Sequence, residues 1–337
     1  MNYLDFFTTL PRDIATNNEK YNATFCNLYA CLQNMFSKTS DNKTVFFTKH
    51  ASEKTIDRFV KDKCITNAVG DIAGENLVTI SGDWGIYKDG DNYVGQSSSK
   101  KFRLTIPGLE KMFDKFDSWF CPHLEDDIHE KIFPVPINIF RPDWNTDVTK
   151  SLADLRQIEK TKLCYANFTM TCNYRITLAE WIAEQDFIEH LFPRRFDGID
   201  ENVKSDVLSP ERLTLGAFAC KLAEYRFAIA PIGNGIDTHR LWECIITNTV
   251  PIVQDTFCNR VFSKIWPMII VKRYELTDLK KEMRAFSERH GDNIEYDYSL
   301  LLEKNFDKLL ERLKHESDRV RRERAQMEPV KQIVINF

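Results

Sequence analysis

The chain has 337 residues, 43% of them hydrophobic and 28% charged, the balance of a folded protein long enough for two domains with separate cores. Its formal net charge of −4 provides no bulk attraction to nucleic acid or to an anionic membrane surface, so neither is expected as a partner. The opening residues Met1-Asn2-Tyr3-Leu4-Asp5 lack the basic start and apolar run of a leader, no stretch approaches the roughly 20 apolar residues of a membrane span, and the nine cysteines are scattered without a Cys-x-x-Cys pair, so a reduced, cytoplasmic chain without zinc or redox motifs is expected.

In chain order, Phe25, Leu28, Leu32 and Phe36 recur at helical spacing, and Thr44 to Thr48 reads as a short strand. Ser52 is placed to cap a helix carrying Ile56, Phe59 and Val60. Asn76 to Ile80 reads as a strand, Ser81-Gly-Asp-Trp-Gly85 as the loop that ends it, Gly90 to Lys101 as a polar loop, and Leu109 to Phe120 as a helix. Phe133 to Ile139 is extended, because each of its prolines disfavours a helical predecessor. The polar stretch 141 to 158 is expected to hold a junction between an N-terminal domain, 1–140, and a C-terminal domain, 141–337, whose last helices can pack back on the first domain.

A second alternation follows. Lys162 to Ala166 reads as a strand, Thr177 to Leu191 as an amphipathic helix, Arg226 to Ala230 as a strand, Thr238 to Asn248 as a helix and Val250 to Val253 as a strand. Strand, helix and strand at this spacing predict βαβ units on a parallel sheet. Leu302, Phe306, Leu309, Leu310 and Leu313 form a late helical stripe, and the charged segment 315 to 324 that follows reads as a solvated helix face.

The most informative segment runs from Pro231 to Glu243, out of a strand and into a helix. Gly233 and Gly235 let the backbone approach a ligand closely or adopt positive φ, and Asp237 or Thr238 can cap the helix. The helix start offers amide donors and a positive dipole end to a phosphate, and Arg240 in its first turn adds a charge-assisted contact. Glu243, three residues on, lies on the same side and can accept hydrogen bonds from a ribose diol. The same residues also fit a plain turn, a cap and a surface ion pair, and His239 also fits a core histidine.

The run Tyr225 to Val253, with its Pro231-x-Gly-Asn-Gly235 loop and Asp237-x-His-Arg-x-Trp-Glu243 helix, resembles the signature of exostosin-like glycosyltransferases. Leu163 to Arg175 is similar to the family's first donor-domain strand and the loop after it, and Leu77 to Asp83 to an acceptor-domain strand ending in an aspartate. The sequence departs from the family pattern at Asn138, where a glycine is expected, and at Cys121-Pro122-His123, where a Gln-Asn sequence is expected.

The resemblance implies an α/β chain of the GT-B fold, two Rossmann-like domains facing across a cleft, with the C-terminal domain holding a nucleotide sugar. Carried over by position, Thr171, Arg175, Gly233, Asn234, Gly235, Asp237, His239, Arg240 and Glu243 line the donor site; Arg175 also fits an ordinary surface arginine. The implied activity moves a sugar from a nucleotide diphosphate sugar, expected to be a UDP-sugar, to a glycan acceptor hydroxyl with inversion, without a metal or further cofactor. A non-catalytic module of the same fold that binds a nucleotide sugar or glycan is the alternative.

Asp83 is the candidate base, at the end of an apolar strand with Trp84 beside it for stacking on a sugar; it also fits a turn aspartate bonded to its own backbone. His50 and Asp71 are reserves. Asp89-Gly-Asp91 reads as a turn, and Glu125-Asp-Asp127 with His123 and His129 matches no metal geometry. A nicotinamide enzyme is disfavoured because no Gly-x-Gly-x-x-Gly follows the first strand.

Overall fold

The computed structural model describes residues 44–46, 84–89, 92–97, 103–105, 118–121, 123–137, 152–193, 207–209, 213–233, 235–301 and 305–327. The N-terminal part carries β1 (Thr44–Phe46), β2 (Trp84–Asp89), β3 (Asn92–Ser97), β4 (Arg103–Thr105), β5 (Ser118–Cys121) and β6 (Ile132–Pro134). Strands β1, β5 and β6 form a parallel sheet in that order, with Phe46 beside Phe120 and Phe120 beside Phe133. Strands β2, β3 and β4 form an antiparallel meander.

Three expectations change here. Trp84 and Gly85 were expected in a loop and instead open β2, paired with Ser97 and Gln96 of β3. Gly90 to Lys101 was expected to be loop, yet Asn92–Ser97 is a strand, because its polar residues are paired along their length with β2, from Trp84↔Ser97 to Asp89↔Asn92. Ser118 to Phe120 was expected at the end of a helix and is instead in β5, flanked by two parallel neighbours that satisfy its backbone. The expected helices before Val60 and the strand at Asn76 to Ile80 lie outside the described residues.

The C-terminal part is built on one parallel sheet of β7 (Lys162–Ala166), β8 (Ile188–His190), β9 (Tyr225–Ile229), β10 (Val250–Gln254) and β11 (Ile269–Val271), in the order β11-β10-β9-β7-β8. Its helices are α1 (Leu152–Arg156), α2 (Asn173–Ala183), α3 (Leu215–Ala223), α4 (His239–Ile246), α5 (Phe257–Phe262), α6 (Leu279–His290) and α7 (Phe306–Met327). Alternate strand residues point to opposite faces. Cys164, Ala166, Phe227 and Ile229 pack against Ile176, Leu178 and Ile182 of α2 and Met283 and Phe286 of α6. On the other face Tyr165 and Ala228 meet Phe218 and Leu222 of α3, and Val253 meets Trp242 and Ile245 of α4. Covered on both faces, β9 and β10 need apolar side chains at nearly every position, which is why Phe227-Ala-Ile229 and Val250-Pro-Ile-Val253 read as continuous runs.

The helix expected over Thr177 to Leu191 is split. It ends at Ala183, and Ile188–His190 becomes edge strand β8, paired with Cys164 to Ala166 of β7. Phe187 fits the helical spacing, but the backbone of 188–190 finds its hydrogen bonds on β7, and tertiary pairing overrides a local pattern.

Helix α7 packs back on the N-terminal part. Leu309, Leu313 and Val320 share a core with Phe120 and Phe133. Arg321, expected on a solvated face, is only 15% exposed and chelates the carboxylate of Asp127 at 2.9 Å. Its guanidinium also donates to the carbonyls of Glu130 and Ile132 at 2.7 Å and of His129 at 2.9 Å.

Candidate functional site

Counted within its own sheet, the strand order is 2-1-3-4-5, so the topology reverses between β7 and β9. In open α/β sheets the loops leaving the C-terminal ends of two such strands diverge and leave a crevice for a ligand. Here those loops are 167–172 and 230–238. They hold or adjoin the residues that the sequence marks for the donor site.

Arg175 and Gly233 join the two loops. Arg175, in the first turn of α2, is buried rather than on the surface. Its Nε donates to the carbonyl of Ile232 at 2.8 Å, Nη2 to that of Pro231 at 3.0 Å and Nη1 to that of Thr169 at 3.1 Å. One planar cation therefore binds three carbonyls of both loops, a geometry a lysine does not offer. Gly233 is required by this contact: a Cβ there would stand 2.7 Å from Arg175 Nη2 and 3.3 Å from Thr171 Oγ1. Thr171 Oγ1 is buried with no hydrogen-bond partner among the described residues.

Gly235 is explained in the same way. Its missing Cβ makes room for the imidazole of His123, whose two ring nitrogens would each lie 2.8 Å from that atom. Neither glycine is among the positive-φ residues; among the described residues the only such glycine is Gly291. The freedom expected for approach to a ligand is thus used at both positions by a side chain of the protein itself.

Asp237 does not cap the helix. Its carboxylate accepts the amide of Ile137 at 2.8 Å and the indole N–H of Trp242 at 2.9 and 3.0 Å, at 2% exposure. Burial pushes its pKa up to about 8, against the lowering effect of those donors. The N-cap position is Thr238, in extended conformation and without a side-chain capping bond. The first-turn amides of α4 thus receive no capping bond from the Thr238 side chain. The amide of Asp237 donates to Nδ1 of His123 at 3.2 Å, so that nitrogen is unprotonated and the neutral ring carries its proton on Nε2.

Within α4, His239 is half-buried rather than a core residue. Arg240 is 12% exposed and Glu243 1% exposed, with Nη1 and Oε2 3.5 Å apart; the surface ion pair considered from sequence is in fact a buried one. The Cζ of Arg240 also lies 3.9 Å from the centre of the Phe218 ring of α3, a cation–π contact. The far end of α4 is held by Lys160, whose Nζ donates to the carbonyls of Thr247 at 2.7 Å and Ala223 at 2.8 Å. Asn234 and Asp83 lie outside the described residues.

His123, Ile137 and Trp242 are the contacts that sequence reasoning missed. The sequence sets His123 beside Glu125, Asp127 and His129 without a defensible metal geometry, and the Asp127 carboxylate is taken by Arg321 instead. The one available signal was the departure from the family pattern at Cys121-Pro122-His123.

No family model matches the chain, and no curated protein matches it. Among solved structures, the GtfA/B complex aligns with a TM-score of 0.37 at 11% identity, over 86% of this chain and 61% of that one. A structure of trehalose-6-phosphate from E. coli bound with UDP-2-fluoro glucose aligns with a TM-score of 0.32 at 11% identity, over 95% of this chain and 64% of that one. The chain spans less than two thirds of the length of either. At such scores neither likeness bears on activity; the α/β class rests on the parallel sheet and its strand order.

Proposed function

We propose that the chain is a glycosyltransferase of the GT-B kind, similar to exostosin-like enzymes, that takes a UDP-sugar in its C-terminal part and passes the sugar to a glycan hydroxyl. The observation that carries this reading is the placement of Arg240. A guanidinium held over the Phe218 ring and beside a buried carboxylate stands in the first turn of a helix without a side-chain cap, at the switch point of a parallel sheet.

The chemistry follows from where charge grows. As the glycosidic bond breaks, the departing diphosphate gains negative charge. Arg240 and the dipole end of α4 meet that charge in a site already organised, so they act in the transition state more than in the ground state. Glu243 orients Arg240 and accepts hydrogen bonds from the ribose diol. Thr171, Gly233, Asn234, Gly235 and His239 complete the donor site in this proposal, while Arg175 and Asp237 hold its two loops. The acceptor hydroxyl loses its proton to Asp83 of the N-terminal domain during an inverting attack, and no metal is required.

A panel of nucleotide sugars tested by thermal melting separates the outcomes. A ligand at 100 times its dissociation constant adds about 2.7 kcal/mol of apparent stability. UDP-sugars should shift the melting temperature most, with GDP-sugars second. No shift from either class ends the donor-site reading. Binding without turnover on any acceptor points instead to a non-catalytic module.

A further inference from the structure

The loop before α4 is held not only by Arg175 but also from the N-terminal half of the chain. The segment that follows β5 is clamped to two neighbouring loops of the C-terminal sheet. His123 Nδ1 takes the amide of Asp237 at 3.2 Å, in the loop after β9. The carbonyl of Leu124 takes the amide of Cys258 at 3.1 Å and that of Glu125 takes the amide of Phe257 at 2.6 Å, both at the start of α5 after β10. The amide of Leu124 donates to Cys258 Sγ at 3.1 Å. Further along, Ile137 donates to the Asp237 carboxylate at 2.8 Å.

We infer that His123 is a positioning residue of the nucleotide site, fixing Gly235 to Asp237 at the entry to α4 for a bound diphosphate through its Nδ1 bond to Asp237 and its packing in the space left by the Gly235 side chain. This rests on the nucleotide reading above and adds to it a residue that neither the donor motif nor its strand contains. Three features make the arrangement specific. The ring is 3% exposed, so it is held from all sides. It stands where a Cβ of Gly235 would be, which makes the glycine and the histidine mutually dependent. The same residue, Asp237, is gripped twice, at its amide by His123 and at its carboxylate by Ile137, so its backbone and side chain are both fixed just before the N-cap Thr238 and the first helical residue His239. A loop fixed in advance does not lose conformational freedom when the ligand arrives, and this raises affinity without a direct contact.

The experiment is a double-substitution cycle in the full chain, with uridine diphosphate as the calorimetric probe, at a temperature well below every variant's melting point. His123→Ala should weaken binding about tenfold, the scale of one lost hydrogen bond and its packing. His123→Asn, whose Oδ1 can stand near the place of Nδ1, should recover affinity to within about threefold of wild type. Gly235→Ala should weaken binding alone but add little on top of His123→Ala, because the ring it collides with is gone. The inference is overturned if His123→Ala lowers the melting temperature while the dissociation constant stays at the wild-type value, or if the two alanine effects simply add. A wild-type chain that binds no uridine diphosphate brings down the nucleotide reading and this inference with it, and that result is visible before any substitution is made.

Discussion

The carboxylate of Asp237 accepts the main-chain amide of Ile137 at 2.8 Å, tying the helix-entry loop of one sheet to the extended segment that follows β6. The same carboxylate holds the indole of Trp242, which is itself fully buried against Phe262 and Trp266. A residue that the motif offers to a ligand is thus spent on joining two parts of the chain.

Its titration should be visible in stability. The folded pKa is raised from 3.8 to about 8, so the folded state holds a proton that the unfolded chain releases near pH 4. The contribution is fully present below the unfolded pKa and is lost as pH rises through about 8. Between pH 5 and pH 8.5 the melting temperature of the wild type should therefore fall more steeply than that of Asp237→Asn, which mimics the neutral carboxyl. Parallel profiles for the two proteins would remove Asp237 as the cause.

Arg175→Lys should destabilise the chain by about 2–4 kcal/mol, because an ammonium cannot match the fork that serves Ile232, Pro231 and Thr169, and the carbonyls left behind lose their donors. Denaturant unfolding measures this. A loss below about 0.5 kcal/mol, the scale of an ordinary surface change, contradicts the buried role.

Arg240 and Glu243 should separate kinetically. Glu243→Ala is expected mainly to weaken nucleotide binding, by about 1–3 kcal/mol. Arg240→Ala should lower kcat as well, since its charge answers charge that grows in the transition state. Equal losses confined to KM in both variants contradict the assignment.

Asp83→Asn keeps the shape of the side chain and removes its basicity. Turnover should fall about 10²–10⁴-fold with donor affinity nearly unchanged. Transfer at close to the wild-type rate moves the base to another residue, His50 and Asp71 being the first to try.

Activity should persist in a strong chelator, because Arg240 and the start of α4 are proposed to neutralise the diphosphate. Complete loss with chelator, restored by manganese or magnesium, assigns that role to a metal.

The sequence by itself determined the parallel α/β sheet of the C-terminal part and the strand–loop–helix around Gly233 to Glu243. Both are local: β9, the loop, α4 and β10 follow one another, and burial on both faces leaves continuous apolar runs that can be read directly. Even Arg240 beside Glu243 follows from helical spacing. Only the tertiary structure decided what surrounds those residues. Phe187 and Leu191 have helical spacing from α2, yet 188–190 pairs as a strand, because its partner is β7 rather than the preceding turn. Gly233 and Gly235 announce a close approach without saying of what, and the answer is Arg175 at one and His123 at the other. Asp237 has the place of a cap and the role of a tie to Ile137. In each case the deciding partner is distant in sequence, and its approach is set by how whole sheets and helices pack, which no local periodicity encodes.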